Sequence, residues 1–376
     1  MTLAVPSAAD SSAQRTAASS RRSRARALRL TRFYDTPQPL PPGKQGDLIR
    51  FESFDDYDLP LSVSAVRILY HSRSAKGEDV AASAVVLFPA EKKPPAGGWP
   101  VIAWAHGSTG IARSCAPSLR RNLMHGSFLS MYVNLGYAVV ASDYTGLGTS
   151  FRNAFQDAPS NAVDVIASIP AARTAVPQLG SRWIVMGVAE GGLTAMAVAQ
   201  KQSELRDSAY LGAVAISDLA DERKMLSASS ALQLTSLAYG TKTVFPQFQP
   251  AEVLTEKGLA LYRAIEQTCS DTGSVKDIAA AEGLKPGWDG NALFRRYLDR
   301  STPVANQAYG PLLVITSQPN AKAPETISRM CKLGDHVQWE QYPENDPGRA
   351  IGDSVREQIA WTESRFAGRA APTTCP

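Results

Sequence analysis

Seven short apolar runs, separated by stretches with helical patterning, constrain the fold of this chain more than any other feature. Several runs are continuously apolar instead of alternating between apolar and polar residues, which is typical of strands covered on both faces. Strands that alternate with helices predict an open, mostly parallel α/β sheet flanked by helices. The predicted strands are Ala81–Phe88, Pro100–His106, Tyr137–Ser142, Arg182–Gly187, Leu211–Ser217, Pro311–Ser317 and Val337–Tyr342.

One long segment lacks strand patterns. Residues 220–310 contain several helical patterns and are too long for a plain connection. We therefore expect a helical cap or lid inserted between two core segments, 31–219 and 311–376. Because ligands bind beyond the carboxyl ends of the strands in open α/β sheets, the lid is expected to cover that crevice. The clearest helical patterns outside the insertion are Asn161–Ser168, Gly192–Gln200 and the amphipathic Ile351–Phe366.

Residues 1–30 are rich in Ser, Ala and Arg and are expected to form a disordered, solvated tail. Much of the net charge of +4 comes from this segment. No aromatic or glycine-rich recognition motif accompanies its arginines, so we expect no nucleic-acid partner. The chain has no apolar run long enough to span a membrane, and its start lacks the pattern of a signal peptide. These features predict a cytoplasmic protein without a membrane span.

The four cysteines share no CxxC spacing and no histidine-rich neighbourhood, so neither a metal site nor another cofactor is expected. They allow two disulfides, with three possible connectivities. Disulfides would indicate an oxidising compartment, which conflicts with the cytoplasmic prediction. The cysteines are Cys115, Cys269, Cys331 and Cys375.

The segment Trp183–Leu193 has the pattern of a strand, a glycine-rich turn and the start of a helix. In α/β-hydrolases this turn is G-x-S-x-G, where small residues permit a strained turn that projects a nucleophilic serine. Here the turn is G-V-A-E-G-G, with Ala189 at the position of the serine. Alanine has no hydroxyl group, so this position supplies no nucleophile.

Longer segments resemble the bacterial secretory lipases, a family of triacylglycerol lipases related to the fungal lipase A type. They include FYDTPQPLPPGKQGDLIR, GGWPVIAWAHGSTGIARSCAPSL and GYAVVASDYTGLGT, and the resemblance runs from about Arg32 to the C-terminus. It implies an α/β-hydrolase fold whose triad acid and histidine follow the last two strands. Asn320 and Pro347 stand at those positions, so all three triad members are replaced. The resemblance also implies two disulfides, Cys115–Cys269 and Cys331–Cys375.

The groups that would bind an oxyanion are retained. The turn His106–Gly110 follows a predicted strand, and Gly107 and Ser108 are expected to form an oxyanion hole with the backbone N–H of Glu190. Of the four histidines, only His106 lies at the carboxyl edge of the sheet, and the resemblance implies a structural role for it. The other three are not expected to be catalytic, since His71 is predicted to be solvated, His125 to pack in a helix and His336 to lie at the opposite edge.

Several side chains at the carboxyl edge could transfer protons. A carboxyl group in a lidded apolar pocket can have a pKa raised toward neutrality, which suits general acid–base catalysis. Two of these carboxylates also have a structural explanation. Glu190 is favourable at a helix N-terminus, and Asp143 belongs to a turn that the family shares. The candidates are Glu190, Asp143, Tyr144, Asp218, Glu344 and Asp346.

Three functions are compatible with these features. The missing triad favours a non-hydrolytic enzyme that cyclises, isomerises or eliminates from a hydrophobic small molecule, for example in secondary metabolism. A non-catalytic protein that binds a lipid-like ligand is the second possibility. The third is a residual lipase or esterase with a displaced nucleophile, with Ser108, Thr109 and Ser217 as candidates, although none has a plausible histidine base. The sequence indicates no oligomeric state.

Overall fold

The computed structural model describes residues 27–217, 230–269, 275–300, 306–317, 323–342 and 347–376. Nine strands in these residues form one sheet. They are β1 (Leu48–Ser53), β2 (Val63–Arg73), β3 (Asp79–Pro89), β4 (Trp99–Ala105), β5 (Ala138–Ser142), β6 (Leu179–Val188), β7 (Tyr210–Ile216), β8 (Leu312–Ser317) and β9 (Val337–Tyr342).

The sheet order is β1-β2-β3-β5-β4-β6-β7-β8-β9. Strands β1, β2 and β3 pair antiparallel in sequence, and β3 also pairs antiparallel with β5. All remaining pairs, from β5 through β4 to β9, are parallel. The prediction of a mostly parallel sheet is therefore confirmed, with an antiparallel portion at the edge nearer the N-terminus.

The central strands are apolar throughout because both of their faces are buried. On β4, Ala103 and Ala105 contribute to the apolar core on one side of the sheet. Their neighbours Ile102 and Trp104 contribute to the core on the other side. Successive side chains of a strand point to opposite faces, so a strand covered on both sides needs apolar residues at every position.

Helices cover both faces of the sheet. Four of them, α4 to α7 below, lie between β7 and β8 and share an apolar cluster with Ile111 and Phe155. We call these four helices the helical insertion. The α-helices in the described residues are α1 (Gly126–Asn134), α2 (Ala158–Ala175), α3 (Glu190–Leu205), α4 (Ala231–Val244), α5 (Glu256–Ile265), α6 (Ala280–Gly283), α7 (Ala292–Arg300), α8 (Ala323–Lys332), α9 (Pro347–Asp353) and α10 (Val355–Phe366).

The division of the chain at residues 220 and 310 stays a prediction, because residues 218–229 and 301–305 lie outside the described residues. Of the predicted tail 1–30, only 27–30 are described. Ala27 forms a bridge with Arg120, and the Leu28 N–H donates to the Leu119 carbonyl. Residues 1–26 lie outside the described residues, so the expected disorder of the tail stays a prediction.

Strands β1 and β2 lie outside the predicted strands, and the prediction that His71 is solvated is wrong. His71 lies within β2 with only 2% of its surface exposed, and its Nδ1 is 3.1 Å from the Asp79 carboxylate. Buried Arg67 lies in the same strand, with its Nε 2.8 Å from the Tyr57 hydroxyl. These polar side chains interrupt the apolar pattern of β2, and partners outside this strand compensate for their burial.

Both implied disulfides are present, Cys115–Cys269 and Cys331–Cys375. The first joins the segment after β4 to the segment that follows α5 of the helical insertion. Disulfides persist mainly in oxidising compartments, so the two bonds count against the cytoplasmic prediction. None of the helices in the described part of the chain is long and apolar enough to cross a membrane.

Candidate active site

The glycine-rich turn between β6 and α3 has the sharp geometry of a nucleophile elbow. Ala189 joins the two elements with φ 51° and ψ −117°, a conformation that L-residues rarely adopt. Holding a residue other than glycine there costs on the order of 1–3 kcal/mol. The strained turn is thus retained although Ala189 carries no hydroxyl group.

Close backbone packing explains the glycines around the elbow. A Cβ atom on Gly191 would lie 1.9 Å from the Ala105 carbonyl oxygen, at the end of β4. A Cβ atom on Gly187 would lie 2.0 Å from the Gly191 carbonyl oxygen. Only glycine fits at either position, and the close approach brings the N-terminus of α3 against the segment that follows β4.

Glu190, the first residue of α3, directs its carboxylate toward that segment. Its Oε2 accepts a hydrogen bond of 2.6 Å from the Ser108 hydroxyl. Its Oε1 accepts from the Asn161 side-chain amide at 2.9 Å and from the Gln156 backbone N–H at 3.1 Å. Three hydrogen-bond donors therefore orient the carboxylate of Glu190, a residue that is only 9% exposed.

Ser108 completes the arrangement. Its side chain is exposed, and its hydroxyl donates to Glu190 while accepting a hydrogen bond of 3.1 Å from the Gln156 side-chain amide. A hydroxyl group within hydrogen-bond reach of a base, which a third group orients, is the arrangement expected of an activated nucleophile. We call Ser108 and Glu190 the serine–carboxylate pair.

Burial raises the pKa of Glu190 above its ordinary value of 4.5, although the hydrogen bonds from Ser108, Asn161 and Gln156 lower it in part. The first turn of α3 also favours the ionised form, because the helix dipole is positive at that end. A carboxylate with a raised pKa is a stronger base than an exposed one. The electrostatic environment therefore suits proton transfer from Ser108.

A cavity of about 330 Å³ opens beside the pair. Ser108 and Gln156 form part of its wall, and the helical insertion supplies much of the rest. The Cys115–Cys269 disulfide holds one side, since Cys269 also lines the cavity. The apolar side chains in the wall are Ile111, Phe155, Leu232, Ile265 and Val275.

Two other candidates make structural contacts beneath the site. Asp143 accepts hydrogen bonds from the Ser83 hydroxyl at 2.6 Å and from the Ser118 backbone N–H at 2.8 Å, and burial raises its pKa to about 6. The Tyr144 hydroxyl donates to the His106 carbonyl oxygen at 3.0 Å, and burial raises the pKa of Tyr144 well above its usual value. These contacts favour roles in holding the turns.

The histidine at the carboxyl edge does not supply a base for Ser108. His106 stacks on the Tyr144 ring, and its Nδ1 and Nε2 lie 2.6 and 3.2 Å from the carbonyl oxygens of Gly107 and Asp143. Burial lowers the pKa of His106 to about 4. The predicted structural role of His106 agrees with these contacts. His125 likewise packs edge-on against the ring of Trp104.

The remaining candidates cannot be placed. Asn320, Asp218, Glu344 and Asp346 lie outside the described residues, so their assignments stay predictions. Pro347 begins α9. The predicted oxyanion-hole residue Gly107 does lie at the elbow, because a Cβ atom on it would be 3.6 Å from the Ala189 Cβ.

Gln156 and Asn161 were not among the sequence-based candidates. No motif marks either residue, because amides are common in loops and at helix starts. Asn161 lies in the first turn of α2, and Gln156 has an unusual φ of 61° in the segment before that helix. The positive φ is a structural signal that the sequence does not reveal.

The fold resembles that of several solved hydrolases. Esterase LipA from Xanthomonas oryzae, described as degrading rice cell wall, is 17% identical and matches with a TM-score of 0.72, over 87% of this chain and 100% of that one. Candida antarctica lipase A in its closed state is 16% identical, with a TM-score of 0.76 over 92% and 87% of the two chains. A putative hydrolase from Legionella pneumophila is 18% identical, with a TM-score of 0.71 over 86% and 100%.

The chain has the α/β-hydrolase fold. No protein-family model and no curated protein matches the sequence. At 16–18% identity the structural likeness establishes the fold alone, and the activity must be inferred from the site.

Proposed function

We propose that the protein is an ester hydrolase for substrates with an apolar group, with Ser108 as nucleophile and Glu190 as its general base. The observation that carries this proposal is the 2.6 Å hydrogen bond from Ser108 to a buried carboxylate at the wall of a cavity. The sequence offered Ser108 as a displaced nucleophile but no histidine base. A carboxylate supplies the base instead.

The chemistry needs this pair, an ester and water. Glu190 would accept the hydroxyl proton as the Ser108 oxygen attacks the acyl carbon, forming a tetrahedral oxyanion. When the intermediate collapses, protonated Glu190 would return that proton to the departing alkoxide, leaving an acyl group on Ser108. Water would then attack the acyl group while Glu190 accepts its proton, and Glu190 would return that proton to the departing Ser108 oxygen, which releases the acid and restores the serine.

Retained features of the elbow support stabilisation of the oxyanion. The N-terminus of α3 carries partial positive charge, and the glycines bring it against the segment that contains Ser108. Ala189 leaves room beside Gly107 where a serine side chain stands in other hydrolases. A substrate oxygen placed there would lie close to the backbone N–H of Glu190, as the predicted oxyanion hole requires.

The cavity wall supports an apolar substrate group of modest size. The wall exposes more apolar than polar surface, and Ser108 and Gln156 are among its polar residues. The structural neighbours described as esterase and lipase agree with an ester substrate. The two disulfides support a location in an oxidising compartment outside the cytoplasm.

Covalent trapping tests the nucleophile. We would incubate the protein with p-nitrophenyl esters of increasing chain length and with an alkyl fluorophosphonate, and then locate the labelled residue by mass spectrometry. Label on Ser108, a burst of p-nitrophenol and loss of both in Ser108→Ala are the expected results. Ser236→Ala is the matched control, because Ser236 lines the same cavity but donates to the Leu232 carbonyl within α4.

The non-hydrolytic function predicted from the sequence would use the same carboxylate without an acyl intermediate. The missing hydroxyl at Ala189 is the observation that favours it. In that case Ser108→Ala would retain part of the turnover of the true substrate, Glu190→Gln would not, and no label would form on Ser108. The trapping experiment therefore separates the two functions.

A further inference from the structure

The segment Phe155–Asp157 connects the helical insertion to the serine–carboxylate pair. Gln156, its central residue, donates its backbone N–H to Glu190 and its side-chain amide to Ser108. Its φ of 61° is unfavourable for residues other than glycine, asparagine and aspartate. Neighbouring contacts must therefore hold the segment in this conformation.

Helix α7 supplies these contacts on both sides of Gln156. The Tyr297 hydroxyl donates to the Phe155 carbonyl oxygen at 2.6 Å. The Arg300 guanidinium binds Asp157 through two bonds, Nε to Oδ1 at 2.6 Å and Nη2 to Oδ2 at 2.9 Å. The Asp157 side chain is fully buried, so the ion pair lies in a place where charge pairing is strong.

Helix α4 restricts the same segment from another side. Gly240 lies inside this helix, where glycine is unfavourable by about 1 kcal/mol relative to alanine. A Cβ atom on Gly240 would lie 2.1 Å from the Tyr297 hydroxyl oxygen and 3.1 Å from the Phe155 backbone nitrogen. The glycine therefore allows Tyr297 to reach the segment.

We infer that Tyr297 and Arg300 are positioning residues, through which docking of the helical insertion sets the geometry of the serine–carboxylate pair. They touch neither Ser108 nor Glu190 in the contacts described above, and act through Gln156. The inference rests on the proposed function, since it concerns the regulation of the same site. The helical insertion therefore does more than line the cavity. When α7 is docked, Gln156 orients both members of the serine–carboxylate pair.

The test compares Tyr297→Phe, which removes one oxygen atom, with Tyr239→Phe on α4 as the control. Arg300→Gln is compared with Arg295→Gln, an exposed arginine on the same helix. We expect exchange of the Gln156 amide to become about tenfold faster in Tyr297→Phe and Arg300→Gln only. In the same variants kcat on a p-nitrophenyl ester should fall about tenfold or more, with KM changed less than about twofold, because misplaced catalytic groups reduce rate more than binding.

Two further variants keep the inference falsifiable if Arg300→Gln fails to fold. Arg300→Lys retains the charge and should recover part of kcat, and Gly240→Ala should displace Tyr297 and reproduce the Tyr297→Phe phenotype. Unchanged Gln156 exchange in Tyr297→Phe would overturn the inference, as would faster exchange with unchanged kcat. Full activity of Ser108→Ala would instead refute the proposed nucleophile, and the amide exchange would still report whether α7 holds Gln156.

Discussion

Glu190→Gln separates the charge of the carboxylate from its shape. The variant keeps an acceptor oxygen for the Gln156 N–H and the Asn161 amide, at 3.1 and 2.9 Å in the native protein. The other oxygen becomes an NH₂ group, so the Ser108 hydroxyl loses its acceptor at 2.6 Å. Ser108 is exposed, and its proton can turn to water.

Opposing terms keep the stability of this variant close to native. A hydrogen bond to a charged group contributes about 1.5–3 kcal/mol, and its loss destabilises the fold. Removing a buried charge is favourable, because burial of Glu190 disfavours its ionised form and raises its pKa. We expect the free energy of unfolding to change by about 1 kcal/mol or less. Loss of a general base should slow turnover about 10²–10⁴-fold, which corresponds to about 2.7–5.4 kcal/mol in the barrier.

The assay measures kcat/KM on a p-nitrophenyl ester together with urea unfolding. Glu204→Gln is the matched control, since Glu204 lies exposed near the other end of α3 and pairs only with Lys201 among the salt bridges described. It should leave turnover unchanged. Turnover of Glu190→Gln within about threefold of native would refute the general-base assignment. A drop in turnover accompanied by unfolding would show that Glu190 is required for structure.

Three further predictions follow from the same geometry. Because only ionised Glu190 accepts a proton, kcat/KM should rise with pH through an acidic limb set by its pKa, above 4.5; a pH–rate profile without this limb would contradict the role. Gly191→Ala should lower the free energy of unfolding by about 4 kcal/mol or more, since its Cβ would meet the Ala105 carbonyl, whereas Gly290→Ala, with open space around it, should be tolerated in the same urea titration. Replacing both Cys115 and Cys269 with serine should lower the free energy of unfolding by about 5 kcal/mol on the loop-entropy model, because the two cysteines are 154 residues apart. Denaturant unfolding measures this loss, and the same replacement of Cys331 and Cys375, which are 44 residues apart, should lower the free energy of unfolding by less.

The parallel part of the sheet could be predicted because the residues of each strand there form a recognisable apolar run. A strand such as β7, buried on both faces, must be apolar along its whole length, and this pattern needs no knowledge of its neighbours. The elbow was predictable because its glycine-rich turn is a local sequence pattern, although the contact with the Ala105 carbonyl that requires Gly191 is a tertiary one. The disulfide pairing came from resemblance to a family, and the sequence alone left three connectivities open.

Strand β2 shows where sequence patterns fail. Arg67 and His71 interrupt its apolar run, and a polar residue in a short run suggests a solvated segment. The structure buries both, because Tyr57 and Asp79 supply hydrogen-bond partners. Those partners are provided by tertiary contacts and have no signature within the strand.

For the candidate site too, some features followed from the sequence and others only from the tertiary structure. The sequence by itself determined that Ala189 carries no nucleophile and that Ser108 and Glu190 belong to the carboxyl edge of the sheet. Only the tertiary structure decided that these two residues, 82 positions apart, share a hydrogen bond. It also decided that Gln156 and Asn161 hold the carboxylate and that α7 holds Gln156. A hydrogen bond depends on distances of about 3 Å between atoms of separate segments, and sequence patterns record which face a residue occupies but not such distances.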